Sequence, residues 1–199
     1  MTIDILPLAA TPVALHAPPG GVWSLAEYEH LPGDDGTRYE IVEGALHMAP
    51  APNTGHQWSN NIIAFHLTRM IYFPGHGQVY TAPTDVELGP YTIVQPDVVV
   101  VLNGGSAQIT PQRIVGAPDL VVEISSPSTA GYDRREKQDA YAAAGVREYW
   151  IADPANQTVE LLVLDGARFR AVAAYTGQAV IPTTVVPGWD VPTKILFEA

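Results

Sequence analysis

Residues 117–145, APDLVVEISSPSTAGYDRREKQDAYAAAG, decide the fold. Leu120–Ser125 is apolar around a single carboxylate, Glu123, which is the pattern of a buried strand. A turn rich in Ser, Pro and Gly follows. Asp133–Ala144 then carries strong helix formers, and Gly145 stands where a helix C-terminus favours glycine. Alternation along the strand sets Val121, Glu123 and Ser125 on one face, with Leu120, Val122 and Ile124 on the other. On the helix, Lys137, Ala140, Tyr141 and Ala144 fall at i, i+3, i+4 and i+7, so the lysine rides on the stripe that faces the sheet.

A carboxylate and an ammonium inside a core both need partners, because an unpaired buried charge costs several kcal/mol at least. Glu123 and Lys137 are close in the chain and are candidates for each other. A packing salt bridge, or an i,i+4 pair between Lys137 and Asp133, is the plainer alternative. A second acid, Asp97, follows Pro96 at the entrance of another apolar run. We read Ile93–Leu102 as one strand, with Asp97 where the sheet edge opens to solvent. A turn aspartate capping its own backbone is the competing reading. Two hard oxygen ligands on neighbouring strands suit Mg²⁺ or Mn²⁺, which use one or two carboxylates and keep several waters. Arg134 and Arg135 beside Lys137 form a dense basic patch, suited to positioning phosphates or simply to a solvated helix face.

The rest of the chain frames this stretch. Its 199 residues suit one domain, with 1–22 as a loose Pro-, Ala- and Gly-rich N-terminal arm and 23–199 as the folded unit. No window is apolar enough to span a membrane, there is no basic leader, and there is no cysteine for disulfides or thiolate zinc sites. The cytoplasm is the expected compartment. The net charge of −11 excludes a uniformly basic grip on nucleic acid; the few cations would have to gather at the site, with bound metal offsetting some acidity. Ser24 and Glu27 have capping-box spacing. Arg38–Val42 and Ala45–Met48 read as a hairpin around Glu43-Gly44, and a helix runs from Thr54 to about Phe73 with Ile62, Phe65, Leu67, Met70 and Ile71 on its apolar face. Glu148–Ala152 is a further strand, and Val159–Leu164 with Phe169–Tyr175 a hairpin across Asp165-Gly166. The Pro-rich tail is expected to wrap the surface. The class is mixed α/β, a sheet flanked by helices. No zinc-type histidine spacing, phosphate loop or nucleophile elbow is present.

Together RYEIVEG (38–44), TAPTDVEL (81–88), VQPDVVVV (94–101), APDLVVEISSPST (117–129) and DRREKQDAYAAAGVREYWIADP (133–154) closely resemble the Uma-two family of restriction endonucleases, within the PD-(D/E)xK nuclease superfamily. The likeness spans roughly residues 23–190 and implies a restriction-endonuclease-like core with a mixed central sheet. It implies that Asp97 is the Asp of the PD motif and Glu123 the acid of the (D/E)xK strand. The lysine two residues on is replaced by Ser125, and Lys137 of the following helix takes its role. Glu40 is implied as a supporting metal residue, with Glu43 as its rival. His56, Gln138 and Tyr141 are implied around the site. The expected activity is Mg²⁺- or Mn²⁺-dependent phosphodiester hydrolysis, in DNA, by a homodimer. The alternative is a nuclease-fold module that binds nucleic acid or protein without cutting.

Overall fold

The structure is a computed structural model and describes residues 15, 17–32, 37–49, 52–125 and 133–198. Most of the expected 1–22 arm, the turn 126–132 and the side chains of Asp133 and Arg134 lie outside the described residues.

Helix α1 is short, Leu25–Tyr28, and Ser24 and Glu27 close the capping box expected for it. Strands β1 (Arg38–Val42) and β2 (Ala45–Ala49) form the hairpin, turning through Glu43 and Gly44 at positive φ. Helix α2 runs Thr54–Ile71 from an Asn53 cap, followed by β3 (Gly77–Thr81), β4 (Val86–Gly89), β5 (Thr92–Val94) and β6 (Val98–Leu102). Two short strands, β7 (Gln108–Ile109) and β8 (Ile114–Val115), precede β9 (Leu120–Ile124). Helix α3 is Asp133–Ala144, then come β10 (Glu148–Asp153), β11 (Thr158–Asp165) and β12 (Arg168–Thr176), and a 3₁₀ turn at Thr193–Leu196.

The strands form two mixed sheets of six. The central one has the order β12-β11-β10-β9-β6-β3, and the second β2-β1-β5-β4-β8-β7. In the central sheet β9 and β10 are parallel, so α3 is the crossover between them; its other pairs are antiparallel. Both faces of this sheet are covered. One face packs Val98, Val100, Leu120 and Val122 against Ile63, Leu67 and Ile71 of α2 and against the C-terminal segment. The other packs Val99, Val101, Val121 and Tyr149 against Ala140 and Tyr141 of α3 and against Val42, Val86, Val94 and Ile114 of the second sheet. Double coverage explains why β6 is apolar without a break and β9 is apolar but for Glu123.

Three expectations are corrected. Ile93–Leu102 is not one strand: β5 belongs to the second sheet and β6 to the central one. Pro96 has no N–H for a ladder, so the chain leaves one sheet and joins the other across Gln95–Asp97. The tail does not lie on the surface, since Ile181, Val185, Val186, Trp189 and Leu196 are core residues. Phe65 is 58% exposed, and the inward line of α2 is Ile63, Leu67 and Ile71.

Candidate active site

The sheet-to-sheet passage builds the site. The β6–β9 register pairs Val98 with Val122 and Val99 with Val121, so one step further places Asp97 across from Glu123. Alternation puts both acids on the face covered by α3 and β1. The edge expected to open to solvent is closed instead: Asp97 is 2% exposed. Its Oδ1 accepts from Arg38 Nη1 at 3.2 Å, and its Oδ2 from the Ile124 N–H at 2.7 Å and from His56 Nε2 at 3.1 Å. Burial would raise this carboxyl, but His56, Arg38 and the Ile124 N–H together hold it below the usual carboxylate range.

Lys137 arrives from α3 between two carboxylates. Its Nζ lies 2.7 Å from Glu123 Oε1 and 2.9 Å from Glu40 Oε1. Burial pushes its pKa down, yet Glu123 and Glu40 more than reverse that, so the ammonium stays charged. Glu123 also accepts from the Tyr141 hydroxyl at 2.7 Å, and Glu40 from the Gln95 backbone N–H at 2.7 Å. Burial raises the Tyr141 pKa, with Glu123 and Glu40 adding to it, which keeps that hydroxyl a donor. On Glu123, burial acts upward, Lys137 downward, and Asp97 and Glu40 upward again; the carboxyl sits above its ordinary range.

Asp97, Glu123, Lys137, Glu40, His56 and Tyr141 therefore come together. Glu43 is exposed in the β1–β2 turn and is displaced by Glu40, which is 5% exposed. Gln138 is half-buried and has no hydrogen bond to the described carboxylates, and Arg135 is exposed on α3. The Arg134 side chain lies outside the described residues. Arg38 was missed. The signal was available, because Arg38 and Glu40 are i and i+2 on one strand and must share a face.

Three carboxylates thus share two permanent cations, Lys137 and Arg38, and the acids repel one another. Hard oxygen donors in excess of cations fit a divalent ion such as Mg²⁺ or Mn²⁺. Among the described residues no group of three or more His, Asp or Glu forms a ready cage.

Comparison with known proteins bears on this geometry. The sequence pattern of the family Uma2, described as "Putative restriction endonuclease", matches residues 25–194. No curated protein matches. A crystal structure from Anabaena variabilis, described as "a putative nuclease belonging to DUF820", superposes with a TM-score of 0.74 over 88% of this chain and 97% of that one, at 19% identity. At that identity the likeness is one of fold.

Proposed function

From the premise that this chain belongs to the Uma2 family and has a restriction-endonuclease-like fold, we propose that it is a divalent-metal-dependent endonuclease hydrolysing phosphodiester bonds in DNA. One observation carries the proposal: Asp97, just before β6, accepts from the Ile124 N–H beside Glu123 on β9, and the Lys137 ammonium lies against Glu123. Asp97 and Glu123, supported by Glu40, would hold Mg²⁺ or Mn²⁺, which when bound polarises a phosphate oxygen and acidifies a water.

The chain's own groups supply the rest. Lys137 is protonated, so it acts as a donor, orienting the attacking water or meeting the negative charge that grows on phosphorus-bound oxygens. His56, Arg38 and the Ile124 N–H fix the Asp97 carboxylate, and Tyr141 fixes Glu123, so neither acid must reorganise during reaction. Arg135 and Arg134 on α3 are proposed to meet neighbouring phosphates. Water oxygen bonds to phosphorus and releases a proton to solvent, the bond to the 3′ oxygen breaks, and the products are a 5′-phosphate and a 3′-hydroxyl that takes its proton from solvent. A homodimer in the cytoplasm belongs to the same proposal, because a duplex presents two strands to cut. The exposed outer strand β12 offers an edge for pairing, and light scattering after gel filtration measures it. Among the described residues no helix is long and apolar enough to cross a membrane.

The test is cleavage of DNA in Mg²⁺ or Mn²⁺. Asp97→Ala, Glu123→Ala and Lys137→Ala are each expected to lose it by at least about a hundredfold, the scale of one essential charge-stabilising group. Wild-type rates in all three variants would end the proposal. A second reading, a binding module that does not cut, is favoured by one feature: both Asp97 oxygens already accept hydrogen bonds. Calorimetric titration with Mn²⁺ separates the two, since an inert scaffold gives no micromolar heat of binding.

A further inference from the structure

Helix α2 is apolar on two sides. Ile63, Leu67 and Ile71 meet the central sheet. On the opposite side Trp58, Ile62, Phe65, Arg69 and Tyr72 fall within about 40° of one line, at 3.6 residues per turn. Tyr72 keeps helical backbone as the cap residue, so the line runs unbroken for about 21 Å. Trp58, Phe65 and Tyr72, with Phe73 beside them, are between 41% and 73% exposed. A helix with apolar residues all round is ordinarily covered all round. These aromatics are braced before any partner arrives. Trp58 Nε1 donates to the Glu198 carbonyl at 2.8 Å, Phe65 stands edge-to-face with His66, and Tyr72 with Phe73. Side chains held in this way lose little freedom on docking.

Spacing and charge say what covers the stripe. Trp58 and Tyr72 each stand seven residues from Phe65, one on either side. Seven residues are close to two turns, the interval at which helix-to-helix seams repeat. Symmetry about Phe65 is what a two-fold axis demands, since in an isologous contact residue i meets j and j meets i. An antiparallel copy centred on Phe65 sets Phe65 on Phe65, and Trp58 on Tyr72 at both ends. The chain carries a net charge of −11, yet residues 44–84 contain no Asp or Glu. Two copies therefore repel least on this side. A nucleic-acid strand needs free cations along its track. The one Lys or Arg of α2 is Arg69, and it already pairs with Asp190 at 3.5 Å.

We propose that this outer face of α2 is a dimer interface, occupied by α2 of a second copy of this chain in antiparallel, two-fold packing. The four aromatics expose on the order of 400–500 Å², taking roughly 150–250 Å² for a whole aromatic side chain. That is about half of the roughly 800 Å² that each partner of a standard interface buries, and Gln57, Asn61 and Arg69 flank it as a polar rim. The face offers more apolar area than the β12 edge, where among the described residues Val172 is the one exposed large apolar side chain. The contact does not depend on hydrolysis.

The test is sedimentation equilibrium of the full chain at micromolar concentrations, with circular dichroism confirming the fold of each variant. Wild type is expected to dimerise. Phe65→Asp sets two carboxylates against each other on the axis and is expected to weaken the dimer by at least about a hundredfold. Crosslinking then fixes the register. The chain has no cysteine, so F65C puts its one thiol on the axis, and mild oxidation is expected to join two copies through it. The thiols of Y72C would stand about 21 Å apart, beyond the ~7 Å Cα separation that a disulfide tolerates, and are expected to stay reduced. A monomeric wild type, a dimer untouched by Phe65→Asp, or F65C oxidising no faster than Y72C overturns the proposal. A monomer whose affinity for a single-stranded oligonucleotide falls in Phe65→Asp also overturns it, and gives the stripe to nucleic acid. If Phe65→Asp fails to fold, F65C against Y72C decides.

Discussion

Lys137 is one amine set between two carboxylates, and its surroundings are unequal. Removing it leaves Glu40 and Glu123 buried against each other without their cation. Lys137→Met is therefore expected to lower stability at pH 7 by about 3–5 kcal/mol, the usual consequence of stripping one partner from a buried pair. Glu123→Gln leaves Lys137 its contact with Glu40 and relieves repulsion from Asp97 and Glu40. It is expected to melt at or above the wild-type temperature while cutting nothing. Thermal unfolding of both proteins in chelator decides it; equal losses in the two variants would mean the acids do not compete for one lysine. At this scale the sequence was informative where a residue broke its own pattern. Glu123 interrupts a Val-rich strand and Lys137 an Ala-rich stripe, so both were visible. Arg38 opens a strand beside a loop, where an arginine is ordinary, and only its spacing to Glu40 marked it. The hydrogen bonds of Tyr28 and Gln95 to Asp85 were not legible, because that meeting depends on how the second sheet folds back.

Elements were legible where period and punctuation agreed. The helix expected from Thr54 to about Phe73 runs Thr54–Ile71, within two residues, and Gly145 follows the end of α3 as its position suggested. The inner face of α2 was misread at Phe65, which points outward, and at Ile63, which was left out; Leu67 and Ile71 are fully buried as expected, and Ile62 and Met70 pack at the margin of the core. Leu67→Ala is expected to cost about 2–5 kcal/mol by denaturant unfolding, as core truncations do. In the single chain Phe65→Ala should change stability little. The junction between α2 and the tail also senses pH. The His66 ring stands edge-to-face with Trp189 at 6.4 Å, and its Nδ1 is buried without a partner. Burial, then Arg69, hold its pKa below the ordinary histidine value, against a weaker opposing pull from Asp190. A base depressed in the fold contributes stability that is whole above the unfolded value of about 6.5 and is lost as pH falls toward the lower folded value. Melting temperature should therefore decline from pH 7 to 5, with a shallower slope in His66→Gln. Parallel slopes would remove His66 from the account.

At the level of the whole molecule, two sheets rather than one were the surprise. The proline that splits β5 from β6 could be read as a strand boundary, but not as a change of sheet, because that depends on partners far away in sequence. The tail was misjudged for a related reason. Its prolines suggest a surface wrap, yet Glu148, 1% exposed on β10, accepts from the Thr183 hydroxyl, the Thr184 N–H and the Thr184 hydroxyl at 2.6–2.7 Å. Those three donors draw residues 183–184 onto the sheet. Glu148→Gln replaces an acceptor with an amide that must turn an NH₂ toward donors. It is expected to destabilise the protein by about 1.5–3 kcal/mol, the scale of hydrogen bonds to a charged group. Chemical denaturation that matches wild type would show that the tail is held by its apolar side chains alone.

The wide spacing of the site residues along the chain has a consequence for synthesis. Glu40 and Lys137 meet across a separation of 97 residues, and the parallel β9–β10 pair that seats α3 forms only after that helix has been made. A ribosome still translating this message carries the acids but not yet the amine in its slot. The site proposed for hydrolysis is therefore completed only after β10 has emerged.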